Sequence, residues 1–264
     1  TIGGGAFQGC RGLTNLALPG RITDIGPAAF AECPNIARIT FGAEVNRLGV
    51  NAFYGCSALT EIVLPASLGR LGEQVFEGCS GVTNVVLPAA LHSLGGGAFA
   101  GCAGLAGIVL PETVTNVGWW AFADCGALTE VAIPSGVEAI GSFAFSSCAS
   151  LTNIAVDAAN AWYSSRDGVL YDRDASTLIC FPGGKAGPFS IAPGVAVIGD
   201  EAFAGCAGLT DAAIPASVGR IGAAAFEGCL GLTNIAVDAD NAQYSSRDGV
   251  LFDRVELRWP VAGP

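Results

Sequence analysis

Apolar positions recur along this chain with a period far longer than that of a helix or a strand. Gly-x-x-Ala-Phe-x-x-Cys returns every 23 residues, with cysteines at 10, 33, 56, 79, 102, 125 and 148, and again at 206 and 229. The glycine column is complete through nine units: Gly3, Gly26, Gly49, Gly72, Gly95, Gly118, Gly141, Gly199 and Gly222. So is the phenylalanine column: Phe7, Phe30, Phe53, Phe76, Phe99, Phe122, Phe145, Phe203 and Phe226. A unit this short cannot bury its own apolar face, so it buries that face against its neighbours in a stack. The gap from Cys148 to Cys206 exceeds one period by 35 residues, so one insertion interrupts the array.

Within a unit the pattern predicts short elements. Thr60-Glu61-Ile62-Val63-Leu64 alternates with period two and ends at Pro65. That predicts a strand with Ile62 and Leu64 inward, and stacked copies predict a parallel sheet on one face. The glycine column marks the turn into Ala-Phe, where positive φ or close backbone approach is needed. Ala-Phe-x-x-Cys is too short for a long helix, which predicts a 3-10 or single helical turn on the other face. Gly42 departs from the post-strand proline, Val75 from the alanine before phenylalanine, and Ala212 from an inward Ile or Val. A deficit of that size in a core costs roughly 2–5 kcal/mol if uncompensated. It marks the rung after the insertion as the weakest, unless the insert fills the gap.

Leu-x-x-Ile-Gly-x-x-Ala-Phe-x-x-Cys-x-x-Leu-Thr-x-Ile-x-Leu-Pro resembles the Treponema-type (BspA-like) leucine-rich repeat over residues 2–156 and 195–237. The resemblance implies an α/β-type leucine-rich repeat solenoid. The inserted Tyr163-Ser164-Ser165-Arg166-Asp167-Gly168-Val169-Leu170-Tyr171 also resembles the β-hairpin insert of these proteins. It further implies an exported, periplasmic, cell-surface or secreted bacterial protein that binds other proteins, in adhesion to host or other cell components. It implies no enzyme activity and no fixed binding residues.

The resulting organisation is a repeat array at 1–156 (seven units, the first incomplete), a hairpin insertion at 157–194, two further repeats at 195–237, and a shortened second insertion at 238–264, all in one continuous solenoid. Asn160 to Gly168 matches Asn241 to Gly249 at a shift of 81 residues. Gly168–Asp172 and Thr177–Phe181 read as the hairpin strands, which either extend or interrupt the main sheet. In the second copy Trp259-Pro260 parallels Phe181-Pro182, and Ala262-Gly263-Pro264 parallels Ala186-Gly187-Pro188. This copy reads either as a C-terminal cap, which solenoids need, or simply as where the sequence stops. Thr1-Ile2-Gly3 opens inside a repeat, which points to a cap or tether upstream.

Composition narrows the function. Lys and Arg total 12 against 23 Asp and Glu, a formal charge of -11, which argues against nucleic-acid phosphates and anionic lipid. Nine of the ten cysteines occupy one column and none forms Cys-x-x-Cys, so they read as buried thiols rather than zinc ligands or disulfides. Their side chains run parallel although neighbouring rungs fall within disulfide range, and burial lets free thiols survive an oxidising compartment. Cys180 lies outside the column, on the second hairpin strand. His92, the only histidine, has no visible catalytic partner, and the triple-glycine runs lack the Lys-Ser/Thr of a phosphate loop. Asp167, Asp172 and Asp174 lack calcium-loop spacing and read as turn residues. The uncharged stretch 89–111 contains a full copy of the repeat, which favours core over a membrane span. No cofactor or metal is expected.

Two surfaces remain. One is Trp119, Trp120 and Phe143, large aromatics at positions that are small or polar in most units, bordered by Gly96 and Gly97. They read as an exposed contact site or as packing under a neighbouring loop. The other is Val63, Val86 and Val109, side by side on the outward sheet face, read as ordinary β-propensity or as a docking face. Three functions fit: a protein-interaction module, a receptor for a small hydrophobic or glycan ligand on the aromatic platform, and a self-associating spacer.

Overall fold

The computed structural model describes residues 1–254, and over these the chain forms a parallel β-solenoid of about 10 turns. Each turn has three sides. The first is a ladder of short parallel strands. Asn15–Ala17, Arg38–Thr40, Glu61–Val63 and Asn84–Val86 pair in order, followed by a second group of Gly107–Ile108, Glu130–Ile133 and Asn153–Val156. Ile62 and Leu64 point into the core, as the alternation predicts. The second side is another parallel ladder of two-residue strands, including Arg70–Leu71, Ser93–Leu94, Asn116–Val117 and Ala139–Ile140. The expectation of a sheet on one face alone is thereby corrected: the Leu-Gly junction of each rung is too extended to be a simple corner.

The third side corrects the expectation of a 3-10 or helical turn. No helix occurs among the described residues; Ala-Phe-x-x-Cys forms consecutive turns instead. Amide groups alternate in direction there. Asn51, Phe53 and Gly55 donate to Glu73, Val75 and Glu77 of the next rung, while Ala52, Tyr54 and Cys56 donate back to Gly49, Asn51 and Phe53. A helix would spend every donor within its own rung, whereas this path sends half of them across and continues the ladder. The alternation needs left-handed residues such as Asn51 (φ 59°) and Gly55 (φ 68°). Positive φ therefore falls two residues after the glycine column. The column serves close approach instead: a Cβ on Gly49 would lie 2.5 Å from the amide nitrogen of Pro27.

Rings of the phenylalanine column stack from Phe7 to Phe145 with centroids 5.1–5.8 Å apart and planes within 8° of parallel. All ten cysteines are free thiols. They do more than fill space, because each buried column thiol donates to the phenylalanine carbonyl of the preceding rung: Cys56 to Phe30 (3.3 Å), Cys79 to Phe53 (3.2 Å), Cys102 to Phe76 (3.4 Å).

Residues 163–180 depart from the solenoid path. Tyr163–Arg166 pairs antiparallel with Val169–Asp172, and that strand pairs antiparallel with Thr177–Cys180. Thr177–Cys180 then runs parallel to Val197–Ile198 in the second ladder, and Gly187–Ser190 runs parallel to Leu209–Ile214 in the first. Phe189 takes the inward position beside Ala212 and packs against Phe181 and Phe203. A bulky neighbour thus accommodates the small Ala212, which is itself buried. The segment contributes to two buried clusters, one running from Leu18 to Ile154 and including Leu170, the other running from Val169 to Ala225. The matches proposed for Trp259-Pro260 and Ala262-Gly263-Pro264 lie outside the described residues.

Candidate functional site

The 81-residue repeat has one buried polar residue in each copy. Asn160 donates through Nδ2 to the carbonyls of Pro134 (2.8 Å) and Val137 (2.9 Å), and its Oδ1 accepts the amides of Trp162 and Tyr163. Asn241 repeats all four bonds with Pro215, Val218, Gln243 and Tyr244. A fully satisfied buried amide fixes a loop firmly, since any lost bond leaves a desolvated group. The block also closes open strand edges. Ser165 Oγ accepts Val156 N–H at 3.1 Å, and the Gly168 carbonyl accepts Ile154 N–H at 2.9 Å. These residues read as ordinary turn text in the sequence; only their repetition signalled a role.

The aromatic residues come together on the turn side. Trp119 and Trp120 meet edge-to-face at 5.0 Å, and Trp120 meets Phe143 edge-to-face at 5.3 Å. Trp119 and Trp120 are 41% and 43% exposed, and Phe143 is half-buried. Gly96 and Gly97 are buried, and Trp119 lies directly over Gly96, where any Cβ would collide with the indole. Trp120 (φ 53°) and Phe143 (φ 60°) occupy the left-handed position that glycine fills as Gly97 in the preceding rung. Bulky residues there cost of order 1–3 kcal/mol each. The side chains gain only half their burial in return, so the fold does not select them.

Trp119 also borders a surface concavity of about 420 Å³ lined by Arg70, Glu73, His92, Ser93, Thr115 and Asn116. His92, the sole histidine, stands exposed on this edge. On the first ladder, Val63, Val86 and Val109 are 48%, 47% and 82% exposed. A concavity of about 660 Å³ is lined by Val109, Glu112, Glu130, Ala132, Ala155 and Asp157 among others.

Other candidate groups have structural work. Asp172 accepts from Ser176 Oγ (2.7 Å) and Thr177 N–H (2.9 Å), bonds that close the turn between its strand and the next. No cluster able to hold a metal occurs among the described residues, so Asp167, Asp172 and Asp174 do not gather around one point. Burial raises the thiols of Cys56 and Cys148 to about 12, which keeps them protonated and unreactive at neutral pH. Cys180 is pushed up to about 12 for the same reason. Among the described residues no helix is long and apolar enough to cross a membrane; residues 89–111 form turns and ladder strands.

The BspA-type leucine-rich repeat region model matches in six copies, at residues 1–102, 69–165 and 179–247. Among solved structures, a leucine-rich cell surface protein of Faecalibacterium prausnitzii is similar at 27% identity and a TM-score of 0.63, over 89% of this chain and 63% of that one. A leucine-rich repeat protein of Bacteroides ovatus is similar at 28% identity and a TM-score of 0.62, over 85% of this chain and 63% of that one. The chain thus spans about 63% of the length of these two proteins. The pneumococcal vaccine antigen PcpA, at 22% identity and a TM-score of 0.61, shares the fold. No curated protein matches the chain significantly.

Proposed function

Because the chain belongs to the BspA-type leucine-rich repeat family, we propose that it is a non-enzymatic protein-interaction module of an exported or surface-associated bacterial protein. The likeness to the F. prausnitzii cell surface protein supports the location. The observation that carries the reading is the Trp119–Trp120–Phe143 cluster, with Gly96 and Gly97 as its bed. Two of its three rings sit on strained backbone and remain partly exposed. Soluble proteins rarely keep adjoining exposed aromatics without use, and interface hot spots are rich in Trp. Attachment to host or neighbouring-cell proteins is the use this location favours.

The test is direct. Labelled wild-type chain and a Trp119→Ala/Trp120→Ala double variant are applied to host-cell and bacterial surfaces, and saturable binding is read by flow cytometry. The reading expects saturable binding in the wild type and its loss in a folded double variant; equal binding by both would remove the patch.

A second reading is glycan binding. The concavity beside Trp119 combines an indole with Arg70, Glu73, His92 and Asn116, a ring platform ringed by hydrogen-bonding groups, and its volume suits a small ligand. Glycan-array signal abolished by Arg70→Ala/Asn116→Ala, but not by protease treatment of the target surface, would favour it. The exposed Val63, Val86 and Val109 support a third, self-association through the sheet face, which sedimentation of a Val109→Lys variant distinguishes.

A further inference from the structure

The regular hydrogen-bond ladder of the turn side stops at one place. In six successive rungs the amide at the left-handed position, from Gly5 to Trp120, donates to the following rung, as do the six phenylalanine amides from Phe7 to Phe122. The amides of Phe143 and Phe145 find no such partner, and the ladder resumes beyond the gap, where Phe181, Glu201 and Phe203 donate to Ala202, Ala223 and Ala225 of the following rungs. The gap is a crevice of about 170 Å³ whose apolar base includes Ile140, Leu170 and Phe181.

The two walls are chemically unlike. Phe143 and Glu201 occupy the same repeat column, and both line the crevice. Phe143 packs edge-to-face with Trp120 at 5.3 Å. Glu201 Oε2 is buried and has no hydrogen-bond partner. The nearby cation, Arg220, is engaged with Asp200 at 3.3 Å, and no Lys, Arg or His lines the crevice.

We propose that this crevice receives a single arginine side chain of a partner protein, the guanidinium pairing with Glu201 while its flat face lies against Phe143. Volume sets the size of the guest. A cavity of about 150 Å³ admits one benzene-sized group, whereas drug-sized ligands occupy roughly 300–1,000 Å³. Charge sets its sign, because Glu201 lies close to Asp200 and Glu227 with only one cation between the three. Shape favours arginine over lysine. A guanidinium is planar, weakly hydrated and stacks on aromatic faces, whereas an ammonium holds its water. The unmatched amide of Phe143 offers a donor to a carbonyl of the segment that carries it. The proposal deepens the partner-contact reading above and rests on it for the source of the arginine.

The test uses free probes, so that it can fail while the aromatic patch stands. Isotope-labelled protein is titrated with N-acetyl-arginine methylamide, its uncharged citrulline isostere and the lysine analogue, with amide shifts followed by NMR. Arginine should shift Phe143 and Glu201 saturably in the millimolar range, a normal affinity for one side chain. Citrulline should bind at least about tenfold more weakly, the loss expected when one charge-assisted pair is removed. Lysine should bind more weakly than arginine. Glu201→Gln, with an otherwise unchanged spectrum, should reduce arginine affinity by about the same tenfold factor. Absence of saturable shifts, equal binding of citrulline, equal binding of lysine, or wild-type affinity in Glu201→Gln would each overturn the proposal. If arginine binds as expected while the Trp119→Ala/Trp120→Ala variant keeps full surface binding, the patch reading fails and the crevice remains.

Discussion

The hydroxyl of Tyr163 accepts the amide proton of Ile140 at 2.9 Å, 23 residues back along the chain. Tyr244 does the same for Ile221 at 3.0 Å. Each tyrosine reaches the last two-residue strand of a ladder and supplies the acceptor that another rung would have provided. Unpaired strand edges invite association with other chains, and the Asn-x-x-Tyr-Ser-Ser block covers them. Tyr163→Phe should therefore cost about 1–2 kcal/mol and speed hydrogen exchange at Ile140 specifically. Unchanged protection of that amide would show that the bond is not formed in solution.

Trp120→Gly separates use from packing. Glycine relieves a left-handed backbone strain of about 1–2 kcal/mol and gives up the contacts of a half-exposed ring. The two effects are similar in size, so stability by urea unfolding should stay within about 1 kcal/mol of wild type. Binding through the patch should fall by ≥ about 2 kcal/mol, roughly thirtyfold. A large stability loss with intact binding would assign the indole to the fold instead.

The thiol column predicts a specific reactivity. Cys102 and its buried neighbours should resist alkylation at neutral pH in the native state, and all ten thiols should react once denaturant is added. Cys102→Ala removes the donor to the Phe76 carbonyl and leaves a small void, for an expected loss of about 1–2 kcal/mol by thermal unfolding. Rapid native labelling of Cys102 would contradict its burial.

Acid stability should carry opposing contributions from two carboxylates. At Asp172 burial raises the pKa, but the hydrogen bonds from Ser176 and Thr177 outweigh it and leave the group below its ordinary 3.8. Its contribution is complete above that value and is lost as pH falls through the depressed one. Glu201 is raised, by burial first and then by Asp200 and Glu227. Its contribution is present below the ordinary glutamate range and is lost as pH rises through the raised value. Asp172→Asn should flatten the acid limb of the stability curve, and Glu201→Gln should make the protein more stable near neutral pH. A curve that neither variant changes would count against both environments.

The repeat columns were legible because a strict 23-residue period places every glycine, phenylalanine and cysteine in an equivalent setting. The aromatic cluster was legible for the converse reason: Trp119, Trp120 and Phe143 break two adjacent columns that are small or polar in most units. What escaped was the path between columns. Whether Ala-Phe-x-x-Cys coils or zigzags depends on donors crossing between rungs, which no single unit reveals, so one unit by itself reads as helical. The thiol bond from Cys56 to Phe30 spans 26 residues and follows only from that path. A buried asparagine and a turn asparagine look alike in sequence, so the burial of Asn160 is not legible there. The crevice at Phe143 was hidden for another reason. The surplus of 35 residues announces added chain, not that this chain seats Phe181 in the ring column without bonding to the rung before it.

Stacked rungs behave as a one-dimensional cooperative chain, in which each unit is coupled only to its nearest neighbours. The ring stack and the turn-side ladder both end at Phe145, so the weakest coupling in the array lies there. Unfolding should proceed as two zippers, one from Leu18 to Ile154 together with Leu170 and one from Val169 to Ala225, each nucleating independently. Calorimetry should resolve two transitions with a summed enthalpy larger than either van't Hoff value, whereas a single two-state peak would mean that the block carrying Asn160 and Tyr163 couples the halves as strongly as a rung does.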